Sequence, residues 1–288
     1  MKELIEPVRN YKNFILDMDG VLYSGENSIR GAKETVERLY EMNKNVKYMT
    51  NFPESRRTIK EKLKRVLNLE ASEENIMTVA YATALYMKLG GGGNGYVMGL
   101  EDLKDEIRQS GITVREIDEI IEKNILKNLP EWAVISLCDK DFYEKANATG
   151  QILRSKNFDP SRYLATSKGW GWTREYGVTP GIGCTIAFLK EFSGKEPVVI
   201  GKPSNYFTDL AFKLWEIEPE KSLMIGDKWS DIETANKYSF FGIKVETGKQ
   251  DFFENIEKLE DRFKPKLVLK SIRGIFNENE IVYPKVIK

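Results

Sequence analysis

Asp17-Met18-Asp19-Gly20-Val21-Leu22-Tyr23, entered from the apolar run Phe14-Ile15-Leu16, decides how the rest of the chain is read. A short apolar run that stops at an acidic, glycine-containing turn is the pattern of a buried strand reaching a sheet edge. In extended backbone, side chains at i and i+2 point to the same side, so Asp17 and Asp19 project together. Two acids so placed repel, and a proton or a cation is needed to hold both. On a solvated surface the pair would have no consequence. At the tip of a buried strand it points to a metal site, or to a nucleophile beside a proton carrier.

Outward from that stretch, apolar runs alternate with helical patterns, which predicts an α/β fold with a parallel sheet. Strands are expected at Asn13–Leu16, Val46–Thr50, Pro197–Ile200, Ser222–Ile225 and Phe241–Val245. Helices are expected at Ala32–Met42, Arg56–Leu67, Thr185–Phe192, Tyr206–Trp215 and Ser230–Tyr238. Three strand ends carry conspicuous polar groups: Asp17 with Asp19, Thr50 with Asn51, and Asp227. Ligands of such sheets gather beyond the carboxyl ends of the strands, so one shared site is expected.

The middle of the chain reads as an insertion. A helix over Ile76–Leu89 ends at Gly90-Gly91-Gly92-Gly93-Asn94-Gly95, which suits a turn; no Gly-Lys-Ser/Thr follows to make it a phosphate cradle. Strands at Tyr96–Met98, Ala133–Leu137 and Arg162–Thr166, with helices at Glu101–Ser110 and Phe142–Arg154, make a second α/β unit. Pro180-Gly181 marks the return. Residues 1–79 and 182–288 are therefore assigned to the core and 80–181 to the inserted domain.

Composition narrows the chemistry. The chain has 288 residues, enough for two domains, and 44 basic residues balance 44 acidic ones, so no net field favours nucleic acid or an acidic membrane. With a charged start at Lys2-Glu3 and no apolar stretch near the roughly 20 residues of a membrane span, the expectation is a cytoplasmic protein without a signal peptide. Histidine is absent, which excludes His bases, His-assisted nucleophiles and His-ligated zinc. Cys138 and Cys184 lie in apolar surroundings and read as reduced, packed thiols. Carboxylates, Lys, hydroxyls and a hard metal must carry any catalysis.

Two further stretches supply them. Gly201-Lys202-Pro203 follows Val198-Val199-Ile200, placing a lysine at a strand end where it can meet a phosphate. In Leu223-Met224-Ile225-Gly226-Asp227-Lys228-Trp229-Ser230-Asp231, Asp227 falls at a strand tip and Asp231 in the first helical turn. Capping alone would explain Asp231 but not Asp227 beside it. Four carboxylates gathered this way would repel strongly without a cation, and Mg²⁺ suits an all-oxygen ligand set completed by phosphate.

With these residues in hand, the chain resembles the haloacid dehalogenase (HAD) superfamily of aspartyl phosphotransferases. All four motifs occur in order: Asp17-Met18-Asp19-Gly20-Val21-Leu22, Thr50-Asn51, Lys202 and Gly226-Asp227 with Asp231. The position of the insertion and the Gly201-Lys202-Pro203 form resemble the NagD-like, p-nitrophenyl phosphatase and phosphoglycolate phosphatase branch. The resemblance implies a Rossmann-like core, an inserted α/β cap that sets substrate specificity, and Mg²⁺-dependent hydrolysis of a small phosphorylated metabolite. By position, Asp17 is implied as the nucleophile and Asp19 as general acid and base. Gly20, Thr50, Asn51 and Lys202 are implied at the phosphate, and Asp17, Asp19, Asp227 and Asp231 around the metal. Caps of this kind often mediate homodimers.

Some positions depart from the family. Phe52-Pro53-Glu54-Ser55 follows Thr50-Asn51 where relatives continue with Asn and Ser. The Asp227-to-Asp231 spacing is one residue shorter than this branch commonly has, and Ser167-Lys168-Gly169-Trp170-Gly171-Trp172 replaces an Asn-x-Asp. Trp170 and Trp172 could line a substrate pocket or pack the cap or a subunit interface, with packing favoured. Rival functions are a non-catalytic phosphate-binding or regulatory protein and a phosphomutase of the same superfamily. Filled catalytic positions speak against the first and a large late insertion against the second. A dehalogenase would need no metal carboxylate.

Overall fold

The computed structural model describes residues 3–118, 128–174, 177–248 and 256–284. In chain order its elements begin with β1 (Asn13–Leu16), β2 (Tyr23–Ser24), β3 (Asn27–Ser28), α1 (Ala32–Glu41), β4 (Asn45–Thr50) and α2 (Arg56–Leu67). Then come β5 (Ile76–Thr78), α3 (Val79–Leu89), β6 (Asn94–Met98), α4 (Glu101–Gln109), β7 (Thr113–Arg115), β8 (Trp132–Ile135) and α5 (Phe142–Arg154). They continue with β9 (Tyr163–Ala165), β10 (Gly171–Arg174), β11 (Gly177–Pro180), α6 (Ile182–Ser193), β12 (Val198–Val199) and α7 (Asn205–Trp215). The last are β13 (Ser222–Gly226), α8 (Trp229–Lys237), β14 (Phe241–Val245), β15 (Leu267–Leu269) and β16 (Ile281–Tyr283). This is the α/β class that the alternating pattern predicts.

The chain divides into two compact units. The first comprises Met1–Thr50, Arg56–Met77 and Thr208–Lys288. Its sheet has the order β16-β15-β14-β13-β1-β4-β5. β1 pairs in parallel with β13 on one side and β4 on the other, and both faces of β1 are covered, which is why it reads as an unbroken apolar run. Phe14, Ile15 and Leu16 are fully buried; each stabilises the core by about 1.5–3 kcal/mol through burial. The amino ends of these three strands are pinned by side chains. Asn13 Nδ2 donates to Ser222 Oγ at 3.0 Å, and Asn45 Nδ2 donates to Asn13 Oδ1 at 2.9 Å. With register fixed there, the carboxyl ends fall on one edge, delivering Asp17, Thr50 and Asp227 together.

The second unit comprises Asn51–Ser55 and Thr78–Phe207. Its sheet, β12-β9-β8-β6-β7, is parallel throughout, and a hairpin of β10 and β11 stands apart from it. The sequence reading returns the chain to the core at residue 182, but this unit continues to Phe207. The reason lies in β12. Val198 and Val199 pair with Leu164 and Ala165 of β9, an edge that two residues cannot announce by themselves. The expected helix over Ile76–Leu89 is also divided. Ile76–Thr78 is the edge strand β5, and Thr78 Oγ1 caps α3 by accepting the Tyr81 N–H at 3.1 Å. Both cysteines are free thiols, but Cys184 is exposed rather than packed. Among the described residues, no helix is long and apolar enough to cross a membrane.

Candidate active site

Asp17 extends β1 by one residue, its N–H donating to the Ile225 carbonyl at 2.9 Å. Asp227 follows Gly226 at the end of β13, and Asp231 lies in the first turn of α8. The Asp231 carboxylate does two things, since its Oδ2 also accepts the Lys228 N–H at 3.1 Å. Carboxylate oxygens of Asp17, Asp227 and Asp231 lie within 4.8 Å of one another, and the three residues are 4, 2 and 1% exposed. At that separation a like-charged pair repels by about 3–4 kcal/mol at an effective dielectric of about 20.

Burial first, and then the neighbouring charges of Asp17, Asp231 and Asp19, push the Asp227 carboxyl up to about 8, with Lys228 opposing the rise. Lys228 itself feels the cluster. Burial pulls its ammonium down, but the carboxylates of Asp227, Asp17, Asp19 and Asp231 outweigh this and hold it above the ordinary lysine value. Among the described residues, Asp227 Oδ1 is buried with no hydrogen-bond partner. A buried, unsatisfied carboxylate oxygen inside an all-oxygen acidic cluster fits a hard divalent cation, which would satisfy that oxygen and cancel the repulsion.

Asp19 is exposed, not part of the buried trio. Its Oδ1 accepts the Gly25 N–H at 3.2 Å, which ties it to the β2–β3 hairpin. Between them the chain turns tightly, with Gly20 N–H donating to Tyr23 O at 2.7 Å and Leu22 N–H to Met18 O at 2.8 Å. Gly20 takes φ +89°, and a Cβ there would overlap the Asp227 carboxylate; both demands select glycine. Thr50, 4% exposed, ends β4 at the same sheet edge.

The remaining sequence-selected residues belong to the second unit. Lys202 is 3% exposed, and its main chain is gripped by Asn51 at both ends of the carboxamide. Lys202 N–H donates to Asn51 Oδ1 at 2.7 Å, and Asn51 Nδ2 donates to Lys202 O at 3.0 Å. Asn51 therefore holds the lysine loop, a use that the sequence pattern did not disclose. Trp170 is 71% exposed, which removes burial inside the cap from the expected alternatives and leaves a subunit interface and a substrate pocket. Trp172 lies in β10 opposite Thr179, its side chain outside the described residues. Lys228 belongs to none of the motifs, and its place directly after Asp227 is the signal the sequence offers for it.

Residues 14–113 match the family model of haloacid dehalogenase-like hydrolases, and residues 199–275 match the HAD-hydrolase-like model. An acid sugar phosphatase of Staphylococcus haemolyticus is 26% identical over 254 residues, covering 87% of this chain and 91% of that protein. A hypothetical protein of Pyrococcus horikoshii OT3 superposes with TM-score 0.81 at 31% identity, covering 93% of this chain and 99% of the other. The p-nitrophenyl phosphatase of Archaeoglobus fulgidus superposes with TM-score 0.80 at 26% identity, with the same coverage. The chain belongs to the haloacid dehalogenase-like hydrolases. Within that superfamily it is a phosphatase of the NagD-like, p-nitrophenyl phosphatase kind.

Proposed function

We propose that the protein hydrolyses a small phosphate monoester in two steps, carrying the phosphoryl group on Asp17. The observation that supports this is the convergence of three buried carboxylates on one sheet edge, with Asp227 Oδ1 left unsatisfied. Asp17, Asp227 and Asp231, with the main-chain carbonyl of Asp19, would hold Mg²⁺. Bound there, the ion would neutralise charge spread over the phosphoryl oxygens.

An Asp17 oxygen attacks phosphorus, and the bond to the ester oxygen breaks. The departing alkoxide takes a proton from the Asp19 carboxyl. Asp19 then takes a proton from the attacking water, whose oxygen bonds to phosphorus while the acyl-phosphate bond opens. A carboxylate nucleophile thus divides one difficult displacement into two easier ones. Exposure of Asp19 leaves it open to the water whose proton it takes. Thr50 and the Gly20 turn are assigned to the phosphoryl oxygens. Lys202 is assigned to their neutralisation, with Asn51 fixing its main chain.

The test is phosphate release from p-nitrophenyl phosphate. Mg²⁺-dependent turnover is expected, abolished by EDTA, and Asp17→Asn should lower the rate by at least about a thousandfold. Equal rates for wild type and Asp17→Asn would remove the nucleophile, and activity surviving EDTA would remove the metal.

A further inference from the structure

Lys244 lies inside an otherwise apolar strand, Phe241-Gly242-Ile243-Lys244-Val245, and is 3% exposed. Burying an ammonium is costly unless its protons are satisfied, and an aliphatic residue would fill such a position without that cost. Its partners show where the charge is used. Nζ donates to the main-chain carbonyl of Asp227 at 2.7 Å and lies 3.4 Å from that of Val245. Lys244 pairs directly with Gly226 across β13 and β14, so its side chain reaches one residue along the neighbouring strand, to the peptide that carries Asp227.

The same stretch makes two more such contacts. Thr247 Oγ1 donates to the Gly20 carbonyl at 2.6 Å, in the loop that follows Asp17 and Asp19. Gly248 lies so close to Asp227 that a Cβ would overlap its carboxylate. One segment, Lys244–Gly248, thus binds the backbones of both acidic loops and presses against the carboxylate whose Oδ1 is unsatisfied.

We infer that Lys244 and Thr247 are positioning residues for the divalent-cation site. Their hydrogen bonds hold the Asp227 and Gly20 peptides so that the carboxylates face one another before the ion arrives. This role rests on the reading of Asp17, Asp227 and Asp231 as the metal ligands. Groups that orient metal ligands in this way typically contribute about 10–100-fold to affinity.

The experiment is titration of the full-length, metal-free protein with Mg²⁺ by calorimetry. Wild type, Lys244→Met and Thr247→Val are compared, with Asp227→Asn as the control for the site itself. Asp227→Asn should abolish binding. Lys244→Met should weaken Mg²⁺ about tenfold, and Thr247→Val, which keeps shape and loses one donor, about threefold. Hydrogen exchange should show faster exchange of amides 226–231 in Lys244→Met. Thr247→Val keeps the test open if Lys244→Met does not fold. Affinity unchanged or tightened in the folded variants overturns the positioning role. Wild type that binds no Mg²⁺ removes the site, and this role with it.

Discussion

Asp227 sits where burial, like charge and an unmet hydrogen-bonding capacity coincide. Its carboxyl is pushed up to about 8, by burial and then by Asp17, Asp231 and Asp19 against Lys228. An unfolded aspartate titrates near 4, so the folded metal-free protein holds this proton more tightly than the unfolded chain. Stability of the metal-free protein must therefore fall as pH rises from about 4 to about 8. A divalent ion bound at the cluster would compete with that same proton. Mg²⁺ affinity is expected to climb up to about tenfold per pH unit between pH 6 and 8 and then level off. Calorimetry in buffers of different ionisation enthalpy would register the released proton, and a pH-independent affinity would contradict the assignment. Asp17 and Asp227 were legible in the sequence because each follows an apolar strand run, and Asp231 because it opens a helix. Lys228 and Lys244 were not, since a lysine beside an acid, or one alternating with apolar residues in a strand, is usually a surface group. Only the three-dimensional fold shows that Lys244 is buried against the Asp227 peptide and that Lys228 is half-buried beside the cluster.

At the level of elements, strands with continuous apolar character were readable. β1 and β14 begin and end where the pattern places them, because both are covered by neighbouring strands or helices. β5 was not readable. Ile76-Met77-Thr78 runs into Val79–Leu89 without glycine or proline, and the boundary is written in a single hydroxyl. Thr78 Oγ1 accepts the Tyr81 N–H and so starts α3. Thr78→Ala should lower stability by about 1 kcal/mol, read as a shift in denaturant midpoint with unchanged slope. No loss would mean that packing of α3, not its cap, sets the start. The destination of β12 was equally hidden. A strand of two residues has no pattern of its own, and its partner β9 lies more than thirty residues earlier.

At the level of the whole molecule, the inserted segment is larger than its sequence landmarks suggest. Pro180-Gly181 looks like a return because it opens α6, but the chain remains with the second sheet through β12 and leaves it after Phe207. Each unit places polar groups at the carboxyl edge of its own sheet. The first carries the acid cluster. The second carries Lys202, held by Asn51, and the paired hydroxyls of Ser136 and Thr166 at 2.9 Å. Fold class and phosphatase family were thus accessible from motif order, whereas the division of the chain depended on strand pairings between distant segments.

The proposed mechanism turns on a covalent bond between Asp17 and the phosphoryl group. Rapid acid quench during turnover of p-nitrophenyl phosphate, followed by peptide mass spectrometry, tests it directly. A phosphorylated Asp17 should appear before steady state and be absent in Asp17→Asn. Product released in the first turnover without any phosphorylated peptide, or with the phosphoryl group on another residue, would contradict it.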